Sequence, residues 1–296
     1  MFNSLKFKVI LFGFIFTFFS SFGQSYFLGL FNSSIREALS ITHGQFGSIY
    51  ASATLCSSLL LIWVGKKIDD VNIFKFAFFV TVLLSFACFF FSRITSVFLL
   101  FVAIFLMRFS GQGMMSHTAS TTISRYFTRT RGKALSISWF GLSSAEFIMP
   151  VLMVYLLTII DWQNLWLIFS ITVLIVLPIA SFLLIKNLNL DSREANDENI
   201  KEVEIKQWKR IEVIKDYRFY IISSNMLAMP WIFTGFAVFQ SFVQTSKGWG
   251  PYVIAQSFMS YSIFSVLTLF LSGFLIDKFT SRKLLIYMNI PLLLSV

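Results

Sequence analysis

Charge is scarce in this sequence. Acidic and basic residues together make up 13% of its 296 residues, against roughly a quarter in a soluble globular domain. That deficit excludes a water-soluble fold of this size, which could not hide the apolar remainder. Cysteine and histidine are scarcer still, with two of each. Cys56 and Cys88 lie inside separate apolar runs and read as small buried hydrophobes rather than a disulfide. Together with His43 and His117 they offer no metal-ligand spacing, so neither a metal nor a cofactor is expected. No clustered set of catalytic groups stands near a span end, as a membrane enzyme needs. No ring of charges suggests a channel filter.

What is abundant is apolar surface. Hydrophobic residues reach 56%, with 38 phenylalanines and a mean hydropathy of +0.76. Disorder is excluded on the same ground. Crossing a 30 Å hydrocarbon core takes about 20 apolar residues in a helix. Eight runs qualify, at roughly 8–31, 45–64, 73–92, 96–120, 134–157, 165–185, 219–243 and 252–273. The first follows Lys6 and Lys8 as a signal peptide would, but no small-residue cleavage site closes it, so it is expected to be a retained span. The expected class is an all-α polytopic membrane protein.

The net charge is +10. With the N-terminus placed in the cytoplasm, twenty of the 24 lysines and arginines fall on the cytoplasmic side and three outside, with Arg108 in the membrane. This is the positive-inside pattern, and it accounts for the basic balance without nucleic acid. The expected location is a cell membrane of bacterial cytoplasmic type. Residues 187–217 form the one long polar segment, acidic then basic, read as a cytoplasmic linker with a short surface helix near 203–214. The division expected is a six-helix bundle over 1–186, the linker over 187–217, and the start of a second bundle over 218–296.

A short pattern recurs. Gly65 precedes Asp69 by four residues after the second run, and Gly273 precedes Asp277 after the eighth, where Arg282 follows. The two copies stand 208 residues apart and suggest parallel halves related about the membrane normal. Both copies are read as gating loops. Six spans and six would make twelve. The 13 residues from Leu284 to Val296 would rise only about 20 Å as a helix. The expectation is therefore a chain cut within its ninth span, with two full helices and a partial third in the second bundle.

Only two ionisable residues sit well inside the apolar runs, Arg108 in the fourth and Glu146 in the fifth. Charges at that depth mark a substrate or proton path, or else a pair that holds helices together. The antiparallel fourth and fifth spans could bring them to one depth as a pair. His117 is a proton relay or a hydrogen bond across helices. Gln24 and Tyr26 in the first span, and Asn225, Trp231 and Gln240 in the seventh, flank the break residues Gly23 and Pro230 in corresponding spans. Broken helices commonly form a central site. Trp63, Trp162, Trp166 and Trp249 read as interface anchors at span ends.

GKKIDD at 65–70, GFLIDKFTSRK at 273–283, RFSGQG at 108–113 and GLSSAEFIMP at 141–150 resemble the motifs of the major facilitator superfamily of secondary transporters. The first copy departs at Asp70, where a basic residue is usual. FGQSYFLGLF, HGQFGSIY and SRYFTRTRGKALS are most similar to bacterial monocarboxylate and oxalate/formate members. That resemblance implies alternating access and a small organic anion with proton coupling. Proton-coupled efflux of drugs or other amphipathic solutes, a truncated relic of a carrier, and a membrane-embedded enzyme stand as alternatives.

Overall fold

The computed structural model describes residues 4–127, 130–186, 210–279 and 281–295. Among these, eight helices are long and apolar enough to span a membrane: Leu5–Gly23, His43–Asp69, Ile73–Phe91, Val97–Tyr126, Arg131–Leu156, Trp162–Ile185, Tyr217–Val238 and Pro251–Ser272. They are numbered here as spans one to eight. Local chemistry sets their starts. Thr42 and Gln45 form a reciprocal capping box at span two, Asn72 caps span three through Phe74 and Lys75, and Ser96 caps span four.

Span one is packed on spans four, five and six, and span three on spans four and six. Small residues let the backbones approach. A Cβ on Gly141 of span five would overlap the Phe14 carbonyl of span one. Ser85 and Ser170 tie span three to span six reciprocally: Ser85 Oγ donates to the Ser170 carbonyl at 2.9 Å, and Ser170 Oγ to the Ser85 carbonyl at 2.8 Å. Buried interhelical bonds of this kind are worth about 0.6 kcal/mol each, and up to about 1.7. A Ser85→Ala, Ser170→Ala double variant should therefore melt a few degrees lower in detergent, with unchanged helix content by circular dichroism. An unchanged melting point would show that the two hydroxyls add nothing.

The repeat at 208 residues runs further than the two Gly-x-x-x-Asp copies. A short helix Asn32–Leu39 follows span one, and a short helix Gln240–Lys247 follows span seven, at the same offset. Each ends on a left-handed residue, Ser40 at φ 53° and Gly248 at φ 63°. The helices that follow begin at His43 and Pro251, again 208 apart. Four consecutive landmarks in one register make the internal repeat a property of the backbone.

Several expectations are corrected. The described residues of the stretch 273–283 are helical and not a loop: the eighth helix runs from Pro251 to Phe279, and a further helix covers Ser281–Tyr287. The apolar Phe274, Leu275 and Ile276 give no reason for that helix to stop. Cys56 is exposed, because this part of span two is peripheral, whereas Cys88 is buried. Trp162 and Trp166 are buried rather than interfacial. Trp166 packs into a cluster with Phe27, Phe31 and Phe91, which fixes the start of span six against span one. The surface helix expected near 203–214 is described only from Arg210, as Arg210–Lys215; the rest of that segment up to 209 lies outside the described residues.

Candidate functional site

Among the buried polar side chains, Asn32, Arg108, Glu146, Gln240 and Ser262 lie on a seam where span one and its extension meet spans four, five, seven and eight, whereas others, such as Ser85 and Ser170, lie between spans three and six. The chain prepares this by breaking span one. The helix tightens at Ser21–Gly23, and Gln24 then turns extended, at φ −79° and ψ 152°, before a new helix Ser25–Leu30. A break of this kind frees backbone carbonyls inside an apolar medium, where each needs a partner.

Arg108 supplies one. Its Nη1 donates to the Gly23 carbonyl at 2.9 Å and to Ser25 Oγ at 3.3 Å. Tyr50 of span two donates to the same Ser25 Oγ at 2.9 Å, and the guanidinium carbon lies 5.3 Å from the Tyr50 ring centre. Arg108 is 6% exposed, and its Nε has no hydrogen-bond partner among the described residues. It also opens a stretch of π-helix, Arg108–Met115, within span four. Gly111 in that stretch lies backbone to backbone on Gly23, so the break in one span and the widened turn in the other meet at a crossing. Wide turns of this type are enriched at functional sites.

Glu146 stands apart from Arg108. The two are not an ion pair, contrary to the simplest expectation from depth alone. Arg108 turns to the broken span one, whereas Glu146 lies within electrostatic reach of the Tyr26 and Tyr261 hydroxyls on spans one and eight. Glu146 is 7% exposed, and no hydrogen bond to it is formed among the described residues. Pro150, four residues on, removes the N–H that would close the helical bond to the Glu146 carbonyl. The Tyr26 hydroxyl is also buried; it lies beside Ser21 Oγ without hydrogen-bond geometry.

One end of this seam is clasped shut. Asn32 Nδ2 donates to the Val238 carbonyl at 2.8 Å, and Gln240 Nε2 donates to the Tyr26 carbonyl at 2.9 Å. Asn32 and Gln240 are equivalent positions of the repeat, 208 residues apart. Gly29 and Ala237 are also equivalent, and they meet at the axis: a Cβ on Gly29 would overlap the Ala237 carbonyl. Arg36 Nε holds the Asn32 side-chain oxygen at 2.7 Å, which orients its amide toward Val238. Among the described residues, the other hydrogen bonds between the first six spans and the rest are Ser241 to Asn32 and Ser262 to the Ser143 carbonyl.

The remaining candidates scatter. Gln24 is half-buried at the break, with no side-chain capping bond. His117 Nε2 donates to the Gly65 carbonyl at 2.9 Å, a hydrogen bond across helices that joins span four to the end of span two. Asp69 pairs with Arg125 of span four, whose other guanidinium nitrogen donates to the Ile68 carbonyl at 3.2 Å. Asn225 is engaged elsewhere, donating to the Leu285 carbonyl at 2.9 Å and accepting from Asn289 at 2.7 Å. Trp231 is 80% exposed and does not face the seam. Gly273, Asp277 and Arg282 lie on helices, 273 and 277 on the one that continues span eight. Gln240 is among the residues that the sequence singles out, and Asn32 stands with Gln24 and Tyr26 in the first apolar run or just past it, whereas Gly29 and Tyr50 carry no such signal. The 208-residue offset, carried back from Gly65, would have singled out Asn32 as the partner of Gln240.

A repeated set of apolar spans closed around a buried polar seam defines a multi-pass integral membrane protein of two-bundle type. Residues 13–296 match the Major Facilitator Superfamily, and the chain belongs to that family. Its fold is similar to a bacterial homologue of the human lysosomal transporter Spinster in an inward-facing, unoccupied conformation. The match has a TM-score of 0.70 at 15% identity and covers 95% of this chain and 64% of that one. The inward-facing, occupied conformation of such a homologue matches at a TM-score of 0.65 and 15% identity, over 94% of this chain and 62% of that one. The chain thus spans less than two thirds of the length of these neighbours. No curated protein sequence matches it.

Proposed function

We propose that the chain serves secondary active transport by alternating access, moving a small organic anion with a proton as the coupling ion. The observation that carries this reading is the pair of equivalent amides, Asn32 and Gln240, that close one end of the seam by reaching across to the opposite half. Such a clasp exchanges two hydrogen bonds for hydration when the halves part, so closed and open states can lie close in energy. Inside it, Arg108 keeps one donor, Nε, for an anionic group, and Glu146 is a carboxyl at a depth where carboxyls mark proton paths. The membrane is a cell membrane, with the N-terminus and the Asp69 end on the cytoplasmic side by the charge bias of the loops. The clasped end is then the outer one, as in an inward-facing state.

Reconstituted protein should take up a labelled organic anion saturably and only under an imposed proton gradient. Uptake that is linear in concentration and indifferent to the gradient would overturn the reading. The clasp has its own test. On a Cys56→Ser background, a cysteine at Ala237 should react slowly with an impermeant thiol reagent. Combined Asn32→Ala and Gln240→Ala should raise that rate severalfold. An unchanged rate would show that the amides do not hold the seam.

A further inference from the structure

Spans five and eight leave a groove of about 310 Å³ between them, lined by Phe140, Ser143 and Phe147 on one side and Ser262, Val266 and Leu267 on the other. That is the low end of the range for ligand pockets, roughly 300–1,000 Å³. Its floor is closed where Ser262 Oγ donates to the Ser143 carbonyl. No charged side chain lines it. Its rim residues Phe140, Ile263 and Leu267 are about half-exposed and continue an outer surface of apolar side chains.

Depth decides what can fill it. The lining residues 140–148 fall at the middle of span five, which runs from Arg131 to Leu156. Headgroups lie about 15 Å away, half the thickness of the hydrocarbon core. Water is disfavoured in so apolar a cavity, since it needs two or more polar partners. The hydroxyls of Ser144 and Ser262 are already spent on carbonyls of Phe140 and Ser143. We propose that this groove is a binding site for the terminal half of a bilayer phospholipid's acyl chain, seated between the two sets of spans. The site reads hydrocarbon and not the headgroup. It straddles spans five and eight, so it exists only while those two spans keep this spacing.

The test uses the full chain reconstituted with phosphatidylcholine carrying a photoactivatable diazirine on one acyl chain. With the diazirine near the chain terminus, peptides holding residues 140–148 and 262–267 should be labelled in excess of the span-six face of Ile171, Leu174 and Ile175, which is equally exposed. With the diazirine next to the glycerol, the excess should vanish. Ser144→Trp should fill the groove and bring labelling down to the span-six level. Should that variant fail to elute as a single species, Ile263→Trp, at a rim position already exposed, carries the same expectation. Equal labelling of groove and control face, or an excess that survives the tryptophan, would overturn the site.

Discussion

Glu146→Gln is expected to abolish pH-driven accumulation of substrate in proteoliposomes while leaving substrate exchange intact. Glutamine keeps the volume and planar shape of the side chain, so the packing around Tyr26 and Tyr261 should survive. What it cannot do is take up and release a proton. Glu146 has no hydrogen-bond partner among the described residues and no pairing with Arg108, so no neighbour stands ready to replace it. An intramembrane carboxyl is costly, and the proposed proton path gives this one a use that no hydrogen bond among the described residues supplies. In a coupled carrier the gradient is converted only if one site alternates between protonated and ionised forms as the two states exchange. Removing that alternation should reduce accumulation to simple equilibration, with counterflow still measurable. Full concentrative uptake by the variant would sink the role of Glu146, and loss of exchange as well would point to a structural one.

The geometry also separates the Arg108–Glu146 pair that the sequence invites. Depth along a helix is legible from residue number, and it places Arg108 and Glu146 at similar heights. Azimuth is not legible at the same precision. The wide π-helical turns at Arg108–Met115 rotate less per residue than a 3.6-residue period assumes, which shifts the azimuth along span four. The break in span one, which uses the Arg108 guanidinium, depends on a carbonyl that no sequence pattern announces. The eight spans, by contrast, follow from composition alone, because a 30 Å apolar medium leaves few alternatives to a helix of that length. Burial of Trp166 went the other way from expectation for a related reason. Its place near a span end is legible, but the cluster of Phe27, Phe31 and Phe91 that encloses it comes from two other spans. The helical course of 273–279 is not legible in the sequence, because a charged, glycine-containing stretch resembles a loop even where the backbone continues the helix above it.

The crossing of spans one and four should be among the least forgiving points in the fold, beside the close approaches at Gly29 and Gly141. A Cβ built on Gly23 would meet the Met107 carbonyl, the Gln112 nitrogen and the Gly111 Cα, all backbone atoms. Side chains can rotate away from an added methyl, but two helix backbones can only separate. Overpacking in a core costs about 1–3 kcal/mol, and a clash with rigid backbone belongs at the upper end or beyond. Gly23→Val is therefore expected to lower the melting temperature sharply or to prevent recovery of a monodisperse protein. Gly235→Ala, within span seven, is the matched control. A Cβ there has open space, and alanine relieves a helix of about 0.5–1 kcal/mol relative to glycine. The contrast separates crowding from any general intolerance of glycine replacement; equal melting temperatures for the two variants would refute the close crossing. The milder Gly23→Ala has a second use, provided it folds. Separating the spans moves the Gly23 carbonyl away from Arg108 Nη1, so the guanidinium is released without mutating it. If Arg108 serves an anion, that variant should show altered substrate affinity with the arginine still in place.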